Sequence, residues 1–78
     1  PDRAIIEWNL VSGAETYQVI VENDDLGVGM TVDLRDPVTS LRVPPTFLEP
    51  GREYKVEVLA IAASGNRTIA EGTFNTAP

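Results

Sequence analysis

Apolar and polar residues alternate with a period of two along most of this chain. Ala4, Ile6 and Trp8 alternate with Ile5 and Glu7, and Tyr17, Val19 and Val21 alternate with Gln18, Ile20 and Glu22. Leu41 and Val43 flank Arg42. Tyr54, Val56, Val58 and Ala60 alternate with Lys55, Glu57, Leu59 and Ile61. Successive side chains of a strand point to opposite faces, so each run offers one face to a core. No window places apolar residues at i, i+3, i+4 and i+7 over three turns with caps at both ends, so no helix is predicted. The pattern predicts strands over Ala4–Val11, Thr16–Asn23, Met30–Leu34, Ser40–Val43, Glu53–Ala62 and Thr68–Thr76.

Turn residues punctuate these runs: Ser12-Gly13, Gly27–Gly29, Asp36-Pro37, Pro50-Gly51 and Gly65-Asn66. Gly65-Asn66 is expected to supply positive φ for a hairpin. Pro44-Pro45 closes the fourth strand, because proline has no N–H to give to a ladder. Parallel strands need crossovers of about a dozen residues, usually helical, and the connections are too short for them. The expected architecture is an all-β, antiparallel sandwich of short strands in a single domain over residues 1–78. Thr76-Ala77-Pro78 reads as the start of an interdomain linker.

The inward positions name the expected core: Ile6, Trp8, Tyr17, Val19, Leu48, Tyr54, Val56 and Val58. A buried indole covers on the order of 200 Å², so the single tryptophan is expected to centre a core this small. Leu48-Glu49-Pro50-Gly51-Arg52-Glu53-Tyr54 carries a leucine, a Pro-Gly turn and a tyrosine three residues after the glycine. That order builds a tyrosine corner, in which the ring packs inward and the hydroxyl bonds back to upstream backbone.

With Ile6-Glu7-Trp8, Tyr17-Gln18-Val19-Ile20-Val21, Val56-Glu57-Val58-Leu59-Ala60-Ile61 and Thr73-Phe74-Asn75-Thr76, the chain resembles the fibronectin type III family from Ala4 onward. Trp8, Val11, Gly13, Ala14 and Tyr17 are similar to a variant frequent in secreted or surface bacterial proteins. The resemblance implies an immunoglobulin-like sandwich of seven strands. Only Pro1, Asp2 and Arg3 precede what would be the second strand, so the first is expected to be absent, truncated or contributed from elsewhere. An unpaired edge invites pairing with another chain, including self-association. Between Val43 and Leu48 the chain is longer than the family pattern, and a local bulge or turn is expected there.

The chemistry available is narrow. The 78 residues contain no cysteine and no histidine, which removes disulfides, thiol nucleophiles, the usual zinc ligands and the commonest general base. The net charge of −6 gives no reward from a phosphate backbone and none from an anionic membrane, so neither nucleic-acid binding nor membrane insertion is expected. No apolar run is long enough to span a bilayer, and no signal peptide opens the given sequence. Asp24, Asp25, Asp33 and Asp36 look placed at one end of the third strand. A glycosidase pair would need a cleft that so small a sandwich has little room for, and the spacing matches no Ca²⁺ loop, so they read as solvated acids. No cofactor and no metal are expected. Asn66-Arg67-Thr68 fits a glycosylation acceptor, and Ser64, Asn66 and Arg67 form a candidate binding loop without the Arg-Gly-Asp of integrin ligands. Ile20, Leu59 and Ile61 fall on outward faces of strands expected to lie side by side, a candidate interaction surface.

These observations point away from an enzyme. The expectation is a spacer or docking module in a larger extracellular or cell-surface protein, the periplasm included, whose partners are neighbouring domains or another protein. The alternative is a dedicated module recognising protein or carbohydrate through loops or an open edge. Sugar binding favours exposed aromatic rings, and all five aromatic residues here have expected core or corner roles, with Phe47 the least committed.

Overall fold

The computed structural model describes residues 4–78. It contains six strands: β1 (Ile5–Glu7), β2 (Ala14–Asn23), β3 (Val28–Arg35), β4 (Ser40–Arg42), β5 (Glu53–Ala62) and β6 (Arg67–Asn75). β1 and β4 form one sheet, and β3-β2-β5-β6 form the other in that order. Every pairing is antiparallel. The protein is therefore all-β and sandwich-like, 41 × 21 × 17 Å in extent.

Alternation decides which residues the sheets enclose. Tyr17, Val19 and Val21 of β2 and Tyr54, Val58 and Ala60 of β5 lie on one face, and with Val43 and Leu48 they make the buried core. Ile6, Trp8, Leu41, Val56, Met30, Leu34 and Phe74 pack around it, partly buried. The segment between β4 and β5 resolves into a 3₁₀ turn over Pro45–Phe47. It drops Phe47 onto Tyr54, with ring centroids 5.8 Å apart.

The corner at the end of this turn is held by two hydroxyls. The Tyr54 phenol accepts the Glu49 N–H at 2.8 Å, and its ring stacks on Phe74 at 5.5 Å. Thr76 Oγ1 donates to the Glu49 carbonyl at 2.6 Å and accepts the Arg52 N–H at 2.8 Å. Gly51 turns the chain with φ +65°, a conformation that a Cβ would strain. Thr76 is consequently buried just beyond β6.

Several strand limits differ from those expected. β5 has the expected bounds. β1 stops at Glu7 instead of Val11: Trp8 N–H still reaches the Thr39 carbonyl at 3.0 Å, but the chain then bends, with Ala14 N–H closing a turn on the Val11 carbonyl at 3.1 Å. β2 begins two residues early, at Ala14, through an irregular register against β5 between Ala14 and Thr16. β3 is longer at both ends: the hairpin after β2 is tight, pairing Asn23 with Val28, and at the other end Arg35 still pairs with Thr16. β6 is displaced by one residue toward the turn. In that turn only Gly65 has positive φ; Asn66 does not.

Two burial expectations are also corrected. The centre of the core belongs to Tyr17, Tyr54, Val19, Val21 and Val43, all fully buried, and not to Trp8. Trp8 lies at the flank, 5.8 Å from the Tyr17 ring, because among the described residues no strand covers the outer side of β1. Leu59, expected on an outward surface, is only 8% exposed. It sits in register between Gln18 and Ile69 on the central strand pair, where neighbouring side chains lie across it.

Candidate functional site

The two sheets are unequal, and the inequality makes a site. Among the described residues the β1–β4 pair is too narrow to cover four strands, which leaves the inner face of β6 exposed. Thr68, Ala70 and Gly72 occupy that face, in register with Ala60, Val58 and Val56, and all three are exposed. Between this face and β1 runs a groove of about 460 Å³. Its floor is Val56, Val58, Ala70, Gly72 and Phe74, and its wall is Ile5, Ile6 and Trp8. A Cβ placed on Gly72 meets no atom within 4 Å.

The wall of the groove is the edge of β1 that faces away from β4. Among the described residues β1 pairs only with β4. The Ala4 carbonyl accepts Val43 N–H at 2.9 Å and Trp8 N–H donates to Thr39, so these backbone groups point toward β4. Antiparallel strands alternate the direction of their backbone groups, which leaves the N–H and C=O of Ile5 and Glu7 facing the groove side. Ile5 is 60% exposed. Trp8 Nε1 is buried and has no hydrogen-bond partner among the described residues, although a buried indole normally finds one. Glu7 borders the groove, and Glu71 adjoins it from a strand position whose side chain falls on the outer face with Ile69.

The residues singled out from sequence do not converge on this groove as a set. Ile6, Trp8, Val56 and Val58 line it; Tyr17, Val19, Leu48 and Tyr54 lie in the core behind it. Ile20 and Ile61 are half-buried on the opposite face of the large sheet, with Leu59 covered between strands. Ile69, which the sequence reading passed over, is 54% exposed on that same face. Ser64, Asn66 and Arg67 are exposed at the β5–β6 connection, away from the groove lining.

The four aspartates do not share one end of the third strand, and that expectation is corrected. Asp24 and Asp25 sit in the β2–β3 hairpin, whereas Asp36 follows the far end of β3, an eight-residue strand that spans about 25 Å. Asp24 pairs with Lys55 Nζ at 2.7 Å, Asp33 accepts from Gln18 Nε2 at 3.2 Å, and Asp36 Oδ1 accepts the Tyr17 hydroxyl at 2.9 Å. The Asp24 carboxylate holds the Lys55 ammonium above its ordinary pKa, by hydrogen bond first and charge second. No group of three potential metal ligands occurs among the described residues. No helix there is long and apolar enough to cross a membrane.

Ala70, Gly72 and Phe74 are the groove residues that sequence reasoning missed. A glycine inside a strand was the available signal, since it marks a bulge or the close approach of another backbone. Compared with protein-family models and with curated proteins, the sequence finds no match.

Proposed function

We propose that this domain is a non-catalytic module of the fibronectin type III kind, serving as a spacer or docking unit within a larger extracellular or cell-surface protein. The groove beside β1 carries the docking part of this reading: among the described residues it is an apolar surface beside a strand edge, which suits contact with polypeptide, a neighbouring segment of the same protein included. The hydroxyl brace of Tyr54 on Glu49 and the strand order β3-β2-β5-β6 against β1-β4 support the family. The elongated shape supports spacing.

Carbohydrate recognition has less support. Tyr17 and Tyr54 are fully buried, and Trp8, Phe47 and Phe74 are half-buried against the core, so no aromatic ring forms a fully exposed stacking platform. The test is deletion of the domain from its parent polypeptide. Turnover of a small soluble substrate by any catalytic neighbour should stay within about twofold, while attachment to the docked partner weakens. Loss of turnover with the neighbour still folded rules against a spacer or docking role.

A further inference from the structure

We propose that two copies of this domain join antiparallel along the outer edge of β6, in the register that sets Ile69 opposite Ile69 and Arg67 opposite Glu71 of the second copy. The inference goes beyond the spacer and docking reading and does not depend on it.

Backbone direction sets the first condition. Among the described residues β6 pairs only with β5, and the register between them is unbroken from Arg67 to Asn75. The Asn66 carbonyl accepts the Ala62 N–H at 2.9 Å, and the Thr76 N–H donates to the Arg52 carbonyl at 2.8 Å. Even-numbered positions at both ends of β6 therefore point their backbone groups at β5. Antiparallel strands alternate this direction, so the N–H and C=O of Arg67, Ile69, Glu71 and Thr73 point away from the sheet. A strand placed beside β1 would extend the other sheet and lie over the inner face of β6, leaving this edge as it is.

Side chains set the second condition and choose the occupant. Arg67, Ile69 and Glu71 lie on the outer face of the large sheet, all exposed. Within the domain Arg67 sits opposite Ile61, and Glu71 sits opposite Glu57, a like-charged pair that a sheet disfavours. Neither Arg67 nor Glu71 makes an ion pair among the described residues. Reversed end to end, the triplet Arg67, Ile69, Glu71 is its own charge complement, which selects a second copy of this chain. Several registers bring the outward backbone groups together. Only the one about Ile69 makes two Arg–Glu pairs directly across the join, around an Ile–Ile contact. A register about Glu71 sets Glu71 against itself, and those about Thr68 and Ala70 set Ile69 against Arg67 and against Glu71.

Each copy carries −6, which opposes association. The antiparallel join sends the two β2–β3 hairpins, with Asp24 and Asp25, to opposite ends of the pair, and salt screens charges that far apart. A join from Arg67 to Glu71 makes about six hydrogen bonds and is far smaller than a stable interface of about 1,600 Å², so the dimer is weak.

The test is sedimentation velocity on the domain from about 0.02 to 2 mM, where monomer should give way to dimer. Concentration-dependent amide shifts in the ¹⁵N-labelled domain should centre on Arg67, Ile69 and Glu71. In dilute protein those three amides should exchange faster than Thr68 and Ala70, which are bonded to β5. Arg67→Glu or Glu71→Arg alone puts like charges across the join twice and should weaken pairing about tenfold or more. Mixing the two single variants should restore a mixed dimer, because each new charge then meets its opposite. Ile69→Pro removes an N–H that β5 does not use and should abolish pairing while the melt stays that of a folded domain.

A folded parent that stays monomeric at the top of that range overturns the proposal. So does a dimer indifferent to both charge reversals, a mixture of the single variants that fails to pair, or shifts centred on β1 or β3. Slow exchange of Ile69 and Glu71 in dilute protein overturns it as well, because the edge is then already occupied.

Discussion

The Tyr17 hydroxyl donates to Asp36 Oδ1 at 2.9 Å while accepting the Val11 N–H at 3.1 Å, so one fully buried phenol ties the β1–β2 turn to the end of β3. Tyr54 does the equivalent at the Pro-Gly corner, and the two tyrosines brace different loops of one core. Removing a hydroxyl that satisfies both a backbone donor and a carboxylate leaves two polar groups without their partner. Tyr17→Phe should therefore cost about 1–3 kcal/mol in urea unfolding, with the m-value unchanged. In a double-mutant cycle with Asp36→Ala, the two losses should sum to more than the double variant shows. Additive losses exclude an energetic link between the two side chains.

Leu59 and Ile69 are register neighbours on the outer face of the large sheet, yet they differ sharply in exposure, at 8% and 54%. Burial on the solvent face of a sheet comes from neighbouring side chains lying across a residue, and only the inner strands have neighbours on both sides. Leu59→Ala should cost about 2–3 kcal/mol, as for a core leucine, whereas Ile69→Thr should stay within about 0.5 kcal/mol. Equal melting shifts in the two variants mean that Leu59 is not covered as described.

The strand count, the antiparallel pairing and the Pro-Gly-Tyr corner were legible because each rests on local pattern: alternation, turn residues, and a tyrosine at fixed spacing. β5 is legible to the residue because Glu53 to Val58 alternate polar and apolar and the apolar run that follows ends at the Ser64-Gly65 turn. The position of Trp8 was not legible. Whether an inward residue is central or marginal depends on how many strands cover it, which period-two patterning does not encode. Leu59 failed for a related reason, since alternation assigns a face but not the side chains that lie across it. The groove was not legible: its floor at Ala70 and Gly72 emerges only from register with Val58 and Val56. The aspartates were misplaced because a strand's length separates residues that look near in sequence.

Trp8 combines partial burial with an indole N–H that has no partner among the described residues, and these pull in opposite directions. Trp8→Ala loses ring packing against Tyr17 and the neighbouring core, and should cost about 2–3 kcal/mol, less than the about 3–5 kcal/mol of a fully enclosed aromatic. Trp8→Phe retains much of that packing while removing the unsatisfied donor, so its melting temperature should lie within about 3 °C of the parent. A Phe variant as unstable as the Ala variant would show that the indole N–H has a partner within the domain.

The pair Lys55–Asp24 joins β5 to the β2–β3 hairpin at 2.7 Å, with both side chains more than half exposed. Solvent and salt screen such a pair, so its effect on stability is small at any pH. Its direction is nevertheless fixed. Asp24 raises the Lys55 pKa in the folded state, so folding takes up protons at this site where the unfolded chain would release them. The contribution is fully present below the ordinary lysine pKa of about 10.4 and is lost as pH rises through the higher folded value. The urea midpoint of the parent minus that of Lys55→Met should thus be constant from neutral pH to about pH 9, and should shrink above about pH 10.4. Other groups that titrate at high pH are common to both proteins and cancel in this difference. A difference that grows with pH in that window reverses the sign of the linkage and contradicts the ion pair.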